Sequence, residues 1–211
     1  MERRIVAIIP AYNEEQTLGE VISVVKKVAL IDETIVISDG STDKTADVAR
    51  ENGATVIELE DNRGKGGAMK VGIDTADADI FLFLDADLIG LEVQHVELLL
   101  HPVVDDEADM TIGLFDGGRV ATDLAQVVAP YLSGQRAVKR EVLQGISGIE
   151  MARFGVEIAL TRHIKESNVR VAEVTLPHLT HRMKEEKLGV LRGFLSRMKM
   201  YWEIIKYTGG N

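Results

Sequence analysis

The chain has 211 residues, 45% of them apolar and 27% charged, which is ordinary for a soluble globular protein and enough for one sizeable domain or two small ones sharing a sheet. With 24 Lys and Arg against 34 Asp and Glu, the formal net charge is −10, which argues against duplex nucleic acid as a partner because phosphate binding needs a basic surface. There is no cysteine, so disulfides, thiolate metal sites and thiol catalysis are excluded.

Met1-Glu2-Arg3-Arg4 leads into a first strand, Ile5 to Ile9, a continuous β-branched run suited to burial on both faces. The run is too short, and too soon broken by Pro10, to be a signal peptide or a membrane span, and the expected location is cytoplasmic. After Pro10-Ala11-Tyr12-Asn13-Glu14-Glu15 an amphipathic helix runs to about Val28. Glu33 to Ser38 reads as a second strand. Asp39-Gly40-Ser41-Thr42-Asp43 is a turn, whose last three residues can cap a helix running through about Asn52. Ala54 to Leu59 is the third strand. Asn62-Arg63-Gly64-Lys65-Gly66-Gly67 is a glycine-rich turn before a helix to about Ala76, and Asp79 to Leu84 is the fourth strand. This alternation predicts βαβ units on a parallel sheet, with the loops after the strands gathered at one edge, where such sheets bind ligands.

Beyond Asp87 the rhythm loosens. Glu92 to Leu100 reads as a helix and Ala108 to Phe115 as a strand. The turn Asp116-Gly117-Gly118-Arg119 is followed by helical or irregular segments to about Gln144, then flexible residues from Gly145 to Gly148. Met151 to Ser167 reads as a helix, Val169 to Leu176 as a strand, Pro177 to His181 as a loop and Glu185 to Tyr207 as a long final helix. No internal repeat or linker is present, so we expect a single domain over 1–211, with a soft boundary near residue 115.

Phe81-Leu82-Phe83-Leu84-Asp85-Ala86-Asp87 places two carboxylates at the end of a buried strand. Residues two apart on a strand share a face. Two such anions repel unless one is protonated or a cation lies between them, and oxygen ligands suit Mg²⁺ or Mn²⁺. The alternative for this pattern alone is a turn with both carboxylates solvated. Gly64-Lys65-Gly66-Gly67 offers backbone N–H groups and an ammonium to a phosphate, without the spacing of a Walker A loop or a Rossmann fingerprint. Glu14 can accept from ribose hydroxyls or merely favour a helix N-terminus, and Asp39 can accept from a pyrimidine N–H or merely make a turn. His181 is a sensible third metal ligand or a surface histidine in a loop.

The ordered series P-A-Y-N-E, D-G-S-T-D, G-K-G-G and D-A-D resembles the nucleotide-binding half of a GT-A glycosyltransferase of the family 2 type. The resemblance implies an α/β GT-A fold with a mostly parallel sheet and a nucleotide-diphosphate sugar as donor. Glu14 and Asp39 would hold the uridine, with Pro10, Ala11, Asn13 and Ala86 lining the same site. Lys65 would meet the phosphates, and Asp85 and Asp87 would hold Mg²⁺ or Mn²⁺. In the second half, Gly117 to Thr122, Pro130 to Arg136, Gly155 to Ile158 and His181-Arg182 resemble the glucosyl-3-phosphoglycerate synthases and their bacterial relatives. That implies UDP-glucose as donor and a small phosphorylated acceptor held by Gly118, Arg119 and Thr122. It also implies His181 on the metal, Glu157 facing the sugar, and retention at the anomeric carbon. Asp87 and Glu157 are the expected catalytic residues; Glu157 is otherwise explained by a helical salt bridge, and in an inverting enzyme it would be the base.

The last segment carries Leu188, Leu191, Leu195, Met198, Trp202 and Ile205 at alternating three- and four-residue steps, the pattern of a coiled-coil seam. It is also basic, and Gly189 and Gly193 mean that it needs a packing partner. Three readings compete: packing on the chain's own core, a homodimer helix, and peripheral membrane contact. Two other functions stay open at this point, a family 2 enzyme acting on a polyprenyl phosphate and a non-catalytic sugar-nucleotide-binding protein.

Overall fold

The computed structural model describes residues 3–115, 133–146 and 167–181. Strand β1 (Ile5–Ala11) leads to helix α1 (Leu18–Val25), β2 (Glu33–Asp39), α2 (Thr45–Glu51), β3 (Thr55–Leu59), α3 (Gly64–Thr75) and β4 (Ile80–Phe83). After these come β5 (Leu88–Ile89), α4 (Val93–Val104), β6 (Met110–Phe115), β7 (Arg136–Lys139), a short helix α5 (Arg140–Gln144), β8 (Val171–Leu176) and β9 (Thr180–His181). Seven strands form one sheet in the order β3-β2-β1-β4-β7-β6-β8, and β5 and β9 form a separate two-stranded ribbon. The pairs β1–β2, β1–β4, β2–β3 and β6–β8 are parallel; β7 runs antiparallel to both its neighbours. The expected α/β architecture with a mostly parallel sheet is what the chain adopts.

Alternation along the strands divides the core between the two faces of the sheet. Ile5, Ala7 and Ile9 join Ile80, Leu82 and Leu84 in a layer with α1 and α4, whereas Val6 and Ile8 join Phe81 and Phe83 in a layer with α3 and α5. Each fully buried Leu, Ile or Phe contributes roughly 1.5–3 kcal/mol, so these two layers supply the stability that lets the strand ends carry charge. Helix α3 lies so close to β1 that a Cβ at Gly72 would sit 2.6 Å from the Ile8 side chain. Helices α1 and α2 lie on one face and α3 on the other, which puts the switch in winding direction between β1 and β4. β4 pairs with β1 only as far as Ile8, while β2 continues alongside to Ala11. Pro10, which has no N–H to donate, therefore falls where one of the two ladders has already ended.

The largest departure from the sequence reading is β7. Arg136–Lys139 was expected within a helical or irregular stretch, yet it is an interior strand with Arg136 only 1% exposed. Four residues with a charge at each end show no strand periodicity, and the position is dictated by tertiary pairing instead. β9 is likewise a strand inside an expected loop. Helix α1 is shorter than expected, α3 takes in the glycine-rich segment from Gly64, and β4 stops at Phe83, so Asp85 and Asp87 lie in the turn beyond it. The expected final helix, and all but the last residue of the expected helix from Met151 to Ser167, lie outside the described residues.

At the amino ends of β6 and β8, where antiparallel β7 finishes, a salt-bridge network clamps the three strands. Asp109 accepts from the Arg170 backbone N–H (3.0 Å) and from Arg170 Nε and Nη2 (3.1 and 2.7 Å), and pairs with Lys139 Nζ (2.8 Å). Lys139 also pairs with Asp106 (2.8 Å), which pairs in turn with Arg3. Arg170 and Lys139, acting against a smaller effect of burial, hold the Asp109 carboxyl well below the usual carboxylate range.

Candidate active site

The loops after β1, β2 and β3 are tied to one another before any ligand arrives. Asn13, at φ +54°, donates its backbone N–H to Ser41 Oγ (3.2 Å) and accepts from the Thr42 N–H through Oδ1 (2.9 Å). Asn is one of the few residues that enters this left-handed region readily. Glu14 is 9% exposed; its N–H donates to Thr45 Oγ1 (2.9 Å) and its carbonyl accepts from Leu18 N–H (3.1 Å), just ahead of α1. Asp39, 3% exposed, accepts the Arg63 N–H (2.7 Å) through Oδ1. A carboxylate can accept about four hydrogen bonds, so that contact does not fill it. Gly40, at φ +67°, passes so close to the third loop that a Cβ would lie 2.6 Å from the Asn62 nitrogen. Turn chemistry and ligand binding, posed as alternatives for Glu14 and Asp39, are thus compatible here. The turn bonds fix carboxylates at a shared edge.

Asp43 shows the same economy. It is not the formal N-cap of α2, yet its Oδ1 accepts the Thr45 N–H (2.9 Å), which is the capping job expected of the turn.

The acidic pair meets its partners beyond β4. Lys65, in the first turn of α3, places Nζ 2.6 Å from Asp85 Oδ1. His181 Nε2 lies 3.1 Å from Asp85 Oδ2 and 4.0 Å from Asp87 Oδ1. The β5–β9 ribbon delivers this histidine. β5 begins directly after Asp87, and its antiparallel register sets Leu88 opposite His181. The imidazole also stands edge-on to the Phe115 ring at 4.8 Å, which limits its rotation.

Asp85, Asp87 and His181 each offer one ligand atom, and these atoms lie within 4.8 Å of one another. Two carboxylate oxygens and one imidazole nitrogen make a donor set that fits Mg²⁺ or Mn²⁺. Burial alone would raise the Asp85 carboxyl, but the Lys65 ammonium and His181 outweigh it and keep Asp85 ionised well below the usual carboxylate range. The hydrogen bond to Asp85 raises His181 above its ordinary 6.5, against the opposing effect of burial.

The structure adds two residues that the sequence reading gave no role. Gln135 is fully buried and donates from Nε2 to Asp85 Oδ2 (3.0 Å). At Gly134 a Cβ would lie 2.3 Å from Asp85 Oδ2 and 2.5 Å from Lys65 Nζ. The signal was present in Ser133-Gly134-Gln135, but it depends on the register of β7, which has no local signature. Pro10, Ala11, Asn13, Glu14, Asp39, Lys65, Asp85, Ala86, Asp87 and His181 all lie at or just beyond strand ends in one region. Gly118, Arg119, Thr122 and Glu157 lie outside the described residues.

Comparison with known proteins agrees with this geometry. The family model described as Glycosyl transferase family 2 matches residues 6–156. Glucosyl-3-phosphoglycerate synthase of Mycolicibacterium smegmatis is 32% identical over 168 residues, covering 69% of this chain and 55% of that enzyme. The Mycobacterium tuberculosis enzyme is 32% identical over 196 residues, covering 75% of this chain and 60% of its own length. The chain thus spans somewhat over half the length of the curated relatives that it matches. A crystal structure of the M. tuberculosis synthase with Mn²⁺, UDP and glucosyl-3-phosphoglycerate superposes with a TM-score of 0.74 at 31% identity, covering 86% of this chain and 73% of that one. Another, with Mg²⁺ and UDP, gives 0.73 at 32% identity, covering 86% and 72%. The matched stretch takes in β1 to β4, the three interlocked loops, Lys65 and the acidic pair, and the chain is accordingly a member of glycosyl transferase family 2.

Proposed function

We propose that this chain transfers a hexose from a nucleotide-diphosphate sugar, UDP-glucose foremost, to a small phosphorylated acceptor of the 3-phosphoglycerate type. The observation that carries the reading is the meeting of Asp85, Asp87, His181 and Lys65 on the sheet edge that also bears Glu14 and Asp39. Glu14 and Asp39 receive the nucleoside, Asp39 through an N–H of the base, and Pro10, Ala11, Asn13 and Ala86 line the same site. Lys65 places positive charge against the phosphates. A bound Mg²⁺ or Mn²⁺ supplies Lewis-acid stabilisation of the departing diphosphate.

For the acceptor, Arg119 with the backbone of Gly118 and the hydroxyl of Thr122 seats the anionic group, and Glu157 faces the sugar. The anomeric carbon loses its bond to the diphosphate oxygen and gains one to the acceptor hydroxyl oxygen; the hydroxyl proton passes to the departing phosphate. Retention follows from likeness to the synthases, and NMR assignment of the product anomer tests it. An inverted product would make Glu157 the base instead.

The deciding experiment is a screen of UDP- and GDP-sugars against acceptors that include 3-phosphoglycerate, with Mn²⁺ or Mg²⁺ present. We expect UDP release and a glucosylated phosphoglycerate. Tight donor binding without turnover under any condition would instead make the chain a sugar-nucleotide-binding protein.

A second reading places the acceptor on a polyprenyl phosphate. The charge bias near the end favours it, with Arg182, Lys184, Lys187, Arg192, Arg197, Lys199 and Lys206 against Glu185, Glu186 and Glu203. Among the described residues no helix is long and apolar enough to cross a membrane. Co-sedimentation with anionic liposomes that disappears on deletion of 185–211 would support this reading, and its absence would remove it.

A further inference from the structure

The Asp85 carboxylate does not stand alone. The antiparallel register pairs Phe83 with Arg136, and continuing it by two residues brings Gly134 opposite Asp85, with Gln135 opposite Leu84. Gln135 donates its amide to Asp85 Oδ2 at 3.0 Å, the oxygen that also lies 3.1 Å from His181 Nε2. At the other end of the amide, Oε1 lies 3.1 Å from Ser133 Oγ, whose one hydrogen it shares with the Gly113 carbonyl at 2.6 Å, while Oγ accepts the Gln135 N–H at 3.3 Å. The Gln135 carbonyl accepts the Gly113 N–H at 2.8 Å, pinning the backbone to β6. Gln135 is 0% exposed, so it has no freedom to turn toward solvent. Only the NH₂ end can face a carboxylate, because the carbonyl end would oppose acceptor to acceptor.

We infer that Gln135 is a positioning residue of the metal centre, holding the Asp85 carboxylate in one orientation so that Asp85, Asp87 and His181 can close on a divalent cation together. This rests on the metal centre of the proposed function. A buried amide is suited to the task because it orients Oδ2 without adding charge. A glutamate in the same space would bring a further buried anion against Asp85, and an apolar residue would leave the carboxylate free to follow Lys65. Ser133 acts behind Gln135, and Gly134 leaves the space in which Asp85 and Lys65 meet. Partners that orient ligands in this way typically change metal affinity by about 10- to 100-fold.

The test measures Mn²⁺ binding to the full chain without donor or acceptor, counting free aqueous Mn²⁺ by electron paramagnetic resonance. Gln135→Met keeps the volume and removes the donor. We expect its Kd for Mn²⁺ to rise about 10- to 100-fold while its circular dichroism and thermal midpoint stay close to those of the parent. Ser133→Ala, which leaves the Gln135 amide in place but removes the hydroxyl beside Oε1 and its bonds to the Gly113 carbonyl and the Gln135 N–H, should raise Kd by a smaller factor, roughly three- to tenfold. An unchanged Kd in folded Gln135→Met overturns the inference, and if that variant does not fold, an unchanged Kd in Ser133→Ala does so. If the parent chain itself binds no Mn²⁺, the metal centre fails and this inference with it; if the parent binds and Gln135→Met binds equally well, only the role of Gln135 fails.

Discussion

Two groups of acids and bases lie at opposite ends of the same sheet, built from nearly the same side chains. At the amino ends of the strands, Asp106 and Asp109 face Arg3, Lys139 and Arg170, so cations outnumber anions and Asp109 is bonded on both oxygens. At the carboxyl ends, Asp85 meets Lys65 among the described residues, and Asp85 and Asp87 both face a histidine that is charged only when protonated. The first group is complete as it stands. Among the described residues the second brings two carboxylates and a histidine within reach of one ion, which is the condition that a divalent cation relieves. A cluster of aspartates becomes a clamp or a metal centre according to whether the chain itself supplies enough fixed positive charge.

This contrast can be broken at its strongest point by Asp87→Ala. Sugar transfer in the presence of Mn²⁺ should fall by a hundredfold or more, a loss on the order of 3 kcal/mol in transition-state stabilisation, with the fold retained. Chelation with EDTA should give the same loss in the parent chain, reversed by added Mn²⁺. Retained turnover in either experiment would make the acidic pair a second clamp rather than a metal centre.

Gly134→Ala sharpens the comparison at a smaller scale. The nearest atoms to the new Cβ are the Asp85 carboxyl group and Lys65 Nζ, side chains rather than backbone, so the protein should fold while those groups are pushed apart. We expect Mn²⁺ affinity to drop about tenfold with little change in thermal midpoint. Asp109→Asn should do the reverse, lowering stability by about 1–2 kcal/mol, discounted for its contact with solvent. That corresponds to roughly 3–6 °C in a chain of this size, with Mn²⁺ affinity unchanged.

The smallest effects are in pH. Asp109 has a depressed pKa, so its contribution to stability is present above the ordinary carboxylate value of 3.8 and is lost as the pH falls through the lower folded value. His181 has a raised pKa, so in metal-free protein its contribution is full below 6.5 and is lost as the pH rises through the higher folded value. Calorimetry in EDTA between pH 6 and 8 should therefore show a slight fall in thermal midpoint that His181→Ala abolishes and Asp109→Asn leaves in place. A slope that survives His181→Ala would show that another group titrates in that range.

The same contrast explains what could be read from sequence. The carboxyl-edge loops were legible because each follows a short apolar run and carries residue types whose chemistry is recognisable at short range. Asp39, Glu14, Lys65 and the acidic pair all announced themselves in this way. The clamp went unread because Asp109, Lys139 and Arg170 are thirty or more residues apart and look like ordinary surface charges. Gln135 was hidden for a related reason, since its value depends on a four-residue strand whose ends are an arginine and a lysine. His181 was assigned by motif, but the ribbon that carries it, two residues on each side, has no periodicity to detect. Turn chemistry is local and survives in the sequence; pairing register is not, and must be seen.

That ribbon bears on how the protein is made. Asp85 and His181 are 96 residues apart, and the contact between them cannot form before the chain through residue 181 exists. Closing a loop of that length is slow to reward, so the metal centre should be among the last features to assemble during synthesis. A nascent chain would acquire the interlocked loops after β1, β2 and β3 before it could join His181 to Asp85 and Asp87, so Mn²⁺ binding, where it is measured, would report on completed folding.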